Sequence, residues 1–265
     1  MKSIKIFTLY SGSTGNATFI RVGDTAILID AGRNAKTLRS ALCEIGEDIS
    51  NICAIFITHE HSDHISALDV LAKKNSVPIY MTRQSAQKIP VDSPVRERLL
   101  ERDIIFSEEI GDMRITSFQT SHDSLMSVGY KIEFNDGEYM RSIGYATDTG
   151  YVSDDIRSAL LGCEAVVLEC NHDVDMLMRG PYPYDIKRRV ASNHGHLSNE
   201  ACAEFALDLV QNGTRAIMLA HISRENNEPE LAFDTVSSAI SGFDVNLCVA
   251  EPFMPTELII PNSED

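Results

Sequence analysis

The chain has 265 residues, a net charge of −16, 43% hydrophobic and 23% charged residues; that balance is globular and excludes the disordered class. Such a length can bury a sizeable core, and with no Pro/Gly/Ser-rich linker to divide it, residues 1–265 read as a single domain. The acidic balance excludes a surface that is basic throughout, so a polyanionic substrate has to be drawn in by local positive charge, metal ions included.

In chain order, residues 4–10 and 18–22 read as strands joined by the turn-rich Ser11-Gly12-Ser13-Thr14-Gly15-Asn16. The polar/apolar alternation begins at Met1 and lacks the apolar core of a signal peptide. A third strand over 26–29 ends in Asp30-Ala31-Gly32, and Leu38, Leu42 and Ile45 have the spacing of a helix over 36–45. The apolar run 52–57 predicts a buried strand that delivers Thr58 and the segment HEHSDH (59–64) at its C-terminal end. A helix near 66–74 follows, then strands over 79–82, 114–119, 127–134 and 140–146. Helices over 153–160, 198–211 and 230–240 then alternate with strands over 165–169, 216–220 and 246–250. This order predicts an α+β fold, two sheets face to face with helices outside.

No apolar run approaches the ~20 residues that span a membrane, so a cytoplasmic protein with no membrane partner is expected. Cys43, Cys53, Cys163, Cys170, Cys202 and Cys248 lie singly in apolar stretches with no CxxC pair. Buried free thiols in a reducing compartment are the expectation.

Chemistry concentrates in HEHSDH, where four imidazole or carboxylate ligands in six residues can serve two divalent ions (zinc, manganese or iron). Such crowding costs stability unless a cation is bound. In an extended segment His59 and His61 share one side and can grip one ion, which His122, after the strand 114–119, would complete. Asp63 and His64, where the chain turns into the next helix, address a second position that His221 would join. Asp148 follows another strand, and a carboxylate can bridge two ions where an imidazole cannot.

Together these segments resemble the metallo-β-lactamase superfamily, through Asp30 in ILIDAG, HEHSDH, His122, Asp148 in ATDTG and His221. Within it the chain is similar to the YycJ/WalJ-like nuclease branch, in residues 11–16, LECNHD (168–173), GHLSN (195–199) and HISRENN (221–227). The resemblance implies a four-layer αββα sandwich of two mixed sheets. It also implies a first ion on His59, His61 and His122, a second on Asp63, His64 and His221, Asp148 between them, and Asp30 supporting the ligand loop from behind. Aspartate at 148, where β-lactamases of this superfamily carry cysteine, argues against antibiotic hydrolysis.

Two such cations activate a shared water near neutral pH, chemistry that suits phosphodiesters, thioesters and lactones alike. His196, which opens the helix 198–211, resembles a histidine of RNase Z-type enzymes that assists the leaving oxygen; a phosphodiester's poor alkoxide leaving group needs such an acid. His196 and Asp63 are the candidate catalytic residues, and the expected activity is that of a DNA exonuclease using a metal-bridging hydroxide. Asn16 and Ser13 in the glycine-rich turn, Arg224 beside His221, and Ser198 are candidate substrate contacts, Ser198 being equally a helix cap. Arg179, Lys187, Arg188 and Arg189 against Asp185 give a local balance of +3 between 179 and 196, suited to phosphate backbones. Without the large insertion domain of bigger relatives the groove should be open, which fits attack on ends. The competing readings are a glyoxalase II-like thioesterase or lactonase, and a non-catalytic metal-bound regulator.

Overall fold

A computed structural model describes residues 2–261; Met1, where the N-terminal alternation begins, and residues 262–265 lie outside the described residues. The chain runs β1 (Ile4–Tyr10), β2 (Ala17–Val22), β3 (Thr25–Ile29), α1 (Ala35–Glu44), β4 (Ala54–Phe56), α2 (Ser62–Ile65), α3 (Leu68–Lys74), β5 (Ile79–Thr82) and α4 (Arg83–Ala86). Next come β6 (Leu99–Arg102), β7 (Ser107–Ile110), β8 (Met113–Gln119), β9 (Val128–Asn135), β10 (Met140–Ala146), α5 (Asp154–Leu160) and β11 (Ala165–Glu169). Then follow α6 (Val174–Arg179), α7 (Tyr184–Val190), α8 (Asn199–Gln211), β12 (Ala216–Ala220), α9 (Pro229–Ala239), β13 (Asn246–Val249) and β14 (Thr256–Glu257).

Two seven-stranded sheets form, in the orders β14-β1-β2-β3-β4-β5-β6 and β13-β12-β11-β10-β9-β8-β7. Each is mixed: β1, β2 and β3 pair antiparallel and β3 to β6 parallel, while β7 to β10 pair antiparallel and β10 to β13 parallel. Strands β3, β4, β5, β11 and β12 are buried on both faces, as strands covered on two sides must be. Ile27, Phe56, Tyr130, Val167 and Met218 fill the space between the sheets, with the Phe56 ring stacked 4.7 Å from Tyr80. Successive strand residues point to opposite faces, so Leu28 and Ile55 instead meet Leu38, Leu42 and Leu71 of the outer helices. Val166 and Ile217 do the same against Leu160, Phe205 and Val236. The result is the expected sandwich of helices, two sheets and helices.

Several short elements were not readable from periodicity. Strands β6 and β7 are half-exposed edge strands with the charged sequences LLER and SEEI, and charge at an edge blunts further pairing. The turn α2 carries Asp63 and His64 in its own helix, separate from α3, with His61 as its N-cap residue. The cysteines divide: Cys163, Cys170 and Cys202 are buried, but Cys43 and Cys53 are exposed, which corrects the expectation of six buried thiols. Cys43 sits on the outward side of α1, whose inward positions are Ala35, Leu38, Ala41 and Leu42, and Cys53 alternates outward between buried Ile52 and Ala54. Among the described residues no helix is long and apolar enough to cross a membrane.

Candidate metal centre

Six of the chain's strands end at one edge of the sandwich, and each delivers a polar side chain there. Asp30 follows β3, His59 to His64 follow β4, His122 follows β8, Asp148 follows β10, Glu169 ends β11 and His221 follows β12. Asp30, Asp148 and His221 adopt left-handed backbone angles (φ 61°, 55° and 57°), a conformation few residues accept. A sharp turn at a strand end is thereby imposed on the functional residue itself, a placement of strain common at sites.

In the extended stretch His59 and His61 fall on one side and Glu60 on the other, where its Oε1 accepts the Leu125 N–H at 2.7 Å. His59 Nε2 and His61 Nδ1 come within 2.9 Å, and the His122 ring lies 5.0 and 5.1 Å from theirs. The loop can fold this tightly because Gly32 passes under it: a Cβ there would stand 1.8 Å from the Asp63 carbonyl oxygen.

One nitrogen of each deep ring is engaged from behind. His64 Nδ1 pairs with Asp30 Oδ2 at 2.8 Å, His221 Nδ1 with Glu169 Oε1 at 2.9 Å, and His122 Nδ1 with the Gly195 carbonyl at 3.1 Å. The opposite Nε2 atoms of His64 and His221 come within 3.4 and 3.6 Å of Asp148. Such backing fixes the tautomer and leaves the inner nitrogen's lone pair for a cation. Asp30 also accepts from the Thr58 N–H and hydroxyl, so it holds the ligand loop as well as the ring.

Among the described residues, ligand atoms within 4.8 Å of one another form four groups: His59, His61 and His122; Asp63, His64 and His221; His59, His64 and Asp148; and Asp148, Glu169, His196 and His221. The first two are the sets expected from the sequence, and the third joins them through Asp148. The donor set fits divalent cations, because the buried Asp148 Oδ2 and His221 Nε2 find no hydrogen-bond partner of their own. Unpaired polar atoms facing other ligands at this depth are what a metal satisfies.

Glu169 was not anticipated. It is fully buried and binds four groups: His196 Nδ1 at 2.7 Å, His221 Nδ1 at 2.9 Å, and the N–H groups of Thr149 and Leu197 at 2.8 and 3.3 Å. A carboxylate closing the otherwise apolar strand AVVLE was the signal for it. His196 stands with its ring 5.0 Å from both His122 and His221, between the two triplets.

The remaining candidates fall differently. Asn16 is buried, and its amide reaches Gly12 O, Asp63 Oδ2 and His64 Nε2 at 3.1, 3.2 and 3.1 Å. Ser13 is exposed on the same loop, whose Ser11 hydroxyl accepts the His221 N–H at 2.7 Å. Ser198 caps α8, accepting the Ala201 N–H. Arg224 is exposed three residues beyond His221. In the basic stretch Arg179 pairs with Asp175 and Arg189 with Asp123, which itself reaches His122 Nε2 at 3.2 Å, so α7 flanks the centre.

Residues 25–222 match the family described as the beta-lactamase superfamily domain. The chain belongs to that superfamily. It is 36% identical over 260 residues to exodeoxyribonuclease YycJ of Bacillus anthracis, which covers 94% of this chain and 96% of that one. It is 35% identical over 249 residues to exodeoxyribonuclease WalJ of Streptococcus pneumoniae, covering 92% and 91%. These matches put it in the YycJ/WalJ branch of the superfamily. The metallo-beta-lactamase fold protein YhfI of Bacillus subtilis superposes with a TM-score of 0.68 at 17% identity, over 96% of this chain and 99% of that one. The chain is thus a metal-dependent hydrolase of the metallo-β-lactamase superfamily, and its His/Asp clusters are suited to divalent metal.

Proposed function

We propose that this single-domain protein is a phosphodiesterase acting as a DNA exonuclease, with two divalent cations (zinc, manganese or iron) at its centre. His59, His61 and His122 would hold one cation, Asp63, His64 and His221 the other, with Asp148 between them. When bound, such a pair supplies an activated water and neutralises charge on the phosphate oxygens. The names of the YycJ and WalJ relatives support nucleic acid as the substrate and DNA as its kind. The six unpaired cysteines support a reducing, cytoplasmic setting.

The observation that carries the reading is the Glu169–His196 pair. Neither triplet needs His196, yet it stands between them with Nδ1 fixed on a buried carboxylate at 2.7 Å. A thioester leaves as a stable thiolate and needs no acid, whereas a DNA 3′- or 5′-oxygen does. Water oxygen attacks phosphorus, the P–O bond to the leaving nucleotide breaks, and His196 gives that oxygen its proton. Asp63 would accept the proton that water loses, its carboxylate lying beside His64 Nε2 at 3.3 Å. Asn16 keeps that carboxylate aimed, and Arg224 and the exposed Ser13 lie on the substrate side.

The test is His196→Ala in metal-reconstituted protein. Turnover of end-labelled DNA should fall by ~10²-fold or more with metal content unchanged. The loss should be much smaller on a bis-nitrophenyl phosphodiester, whose leaving group needs no proton. Unchanged DNA turnover would remove the assignment, and thioester hydrolysis without nucleic-acid cleavage would overturn the function.

A further inference from the structure

Arg33 and Arg224 come from opposite ends of the chain to one aromatic ring. Their guanidinium carbons lie 4.9 and 5.3 Å from the centroid of Phe253, and Arg33 is also 5.5 Å from the Tyr10 ring. Phe253 is 47% exposed, on a bend that the Glu251 N–H closes onto Thr256 Oγ1 at 2.9 Å. The bend is anchored where β14 pairs with β1.

This cluster adjoins the metal centre. Arg33 follows Asp30-Ala31-Gly32 and packs on Gly15, in the loop whose Asn16 reaches Asp63 and His64. Arg224 follows His221, and a Cβ on Gly12 of the same loop would stand 3.4 Å from the Ile222 carbonyl oxygen. Arg33 has a left-handed backbone, φ 56°, which a long side chain keeps only where its surroundings impose it.

In a chain of net charge −16, two guanidiniums share one ring, and among the described residues neither forms an ion pair. Cation–π attraction holds each in place but does nothing to offset their mutual repulsion. An anion between or across them would, and the guanidinium fork matches a phosphate's oxygens.

Resting on the phosphodiesterase reading above, we infer that Arg33 and Arg224, set by Phe253, clamp the backbone phosphates flanking the scissile bond. The site then takes a polynucleotide strand in preference to an isolated phosphodiester. Phe253 is the positioning residue, and the two arginines make the contacts.

The probe is a fluorescent single-stranded DNA with phosphorothioate links that resist cleavage, titrated into metal-reconstituted protein across a salt series. Arg33→Ala and Arg224→Ala should each weaken binding about tenfold and flatten the slope of log K against log salt by about 0.7. Phe253→Ala should move both quantities the same way and Phe253→Tyr should restore them. Arg33→Gly, which suits the left-handed backbone, separates lost charge from a folding defect. In turnover, KM for single-stranded DNA should rise with kcat held, and the penalty should shrink on a dinucleotide with one phosphodiester. Unchanged affinity and slope in a protein that still cleaves DNA would overturn the clamp and leave the phosphodiesterase standing. Equal losses on DNA and dinucleotide would place the arginines in the metal centre and overturn the clamp too. A wild type that cleaves no nucleic acid overturns the reading beneath it.

Discussion

The triplet His59, His61 and His122 and the triplet Asp63, His64 and His221 differ in what stands around their rings. Burial lowers the His59 pKa, and the neighbouring His64, His122 and His61 lower it further; burial also lowers that of His122, against Asp148. Burial thus favours the neutral form of those two rings, the form that donates a lone pair. For His64 burial again opposes the charge, but Asp30, Asp148 and Asp63 outweigh it and raise the pKa well above normal. For His221 burial is outweighed by Asp148 and Glu169, and its pKa rises to about 9. The second triplet must therefore release protons to bind a cation, as ligand imidazoles do. Carboxylates that orient these rings for metal also protonate them in its absence.

Exchanging the backing carboxylates breaks that contrast most strongly. Glu169→Gln should cost ~10–100-fold in metal affinity or activity, the usual effect of removing a ligand's hydrogen-bond partner. Metal analysis should find the loss at the second triplet, with content falling toward one ion per chain. Asp30→Asn should act on His64 similarly and lower folding stability as well, because Asp30 also holds Thr58. Loss of both ions together from Glu169→Gln would erase the distinction between the triplets.

Loading against pH sharpens the same contrast with a smaller effect. Metal uptake should strengthen as pH rises toward about 9, where His221 loses its proton, while His59 and His122, held low by burial, contribute little to that pH dependence. The metal-free fold responds in the opposite sense. A histidine raised from ~6.5 stabilises the fold fully below that value, and the gain is lost as pH rises through about 9. Metal content by mass spectrometry and thermal midpoints of stripped protein, each from pH 6 to 10, check the two directions. The smallest effect belongs outside both triplets: Ser198→Ala should cost about 1 kcal/mol as a lost cap, read by denaturant unfolding, with KM for DNA unchanged.

The ligands differ in how far they were legible for the same reason. HEHSDH is one loop after one strand, so local spacing was enough to propose two ion positions. His122, Asp148 and His221 were readable as polar residues closing apolar strands, and only their convergence needed the fold. Glu169 offers the same cue at the end of AVVLE, but a carboxylate after a strand is ordinarily a surface residue, so spacing alone does not mark it. Asn16 reads as a substrate contact from its glycine-rich turn, and only the fold shows its amide buried against Asp63 and His64. Charge balance marked the stretch around α7 as basic, but its Arg179 and Arg189 are tied to carboxylates.

The sequence by itself determined the donor types, the six-residue motif, most of the strands along the chain and the family. These are local or compositional properties, carried by residue identity and spacing. Only the tertiary structure decided which ring nitrogen faces inward, which imidazoles are charged, and that Arg33, Arg224 and Phe253 meet. Those depend on dielectric and on contacts between residues far apart in the chain, from His64 with Asp30 to Arg33 with Phe253, and sequence spacing encodes neither.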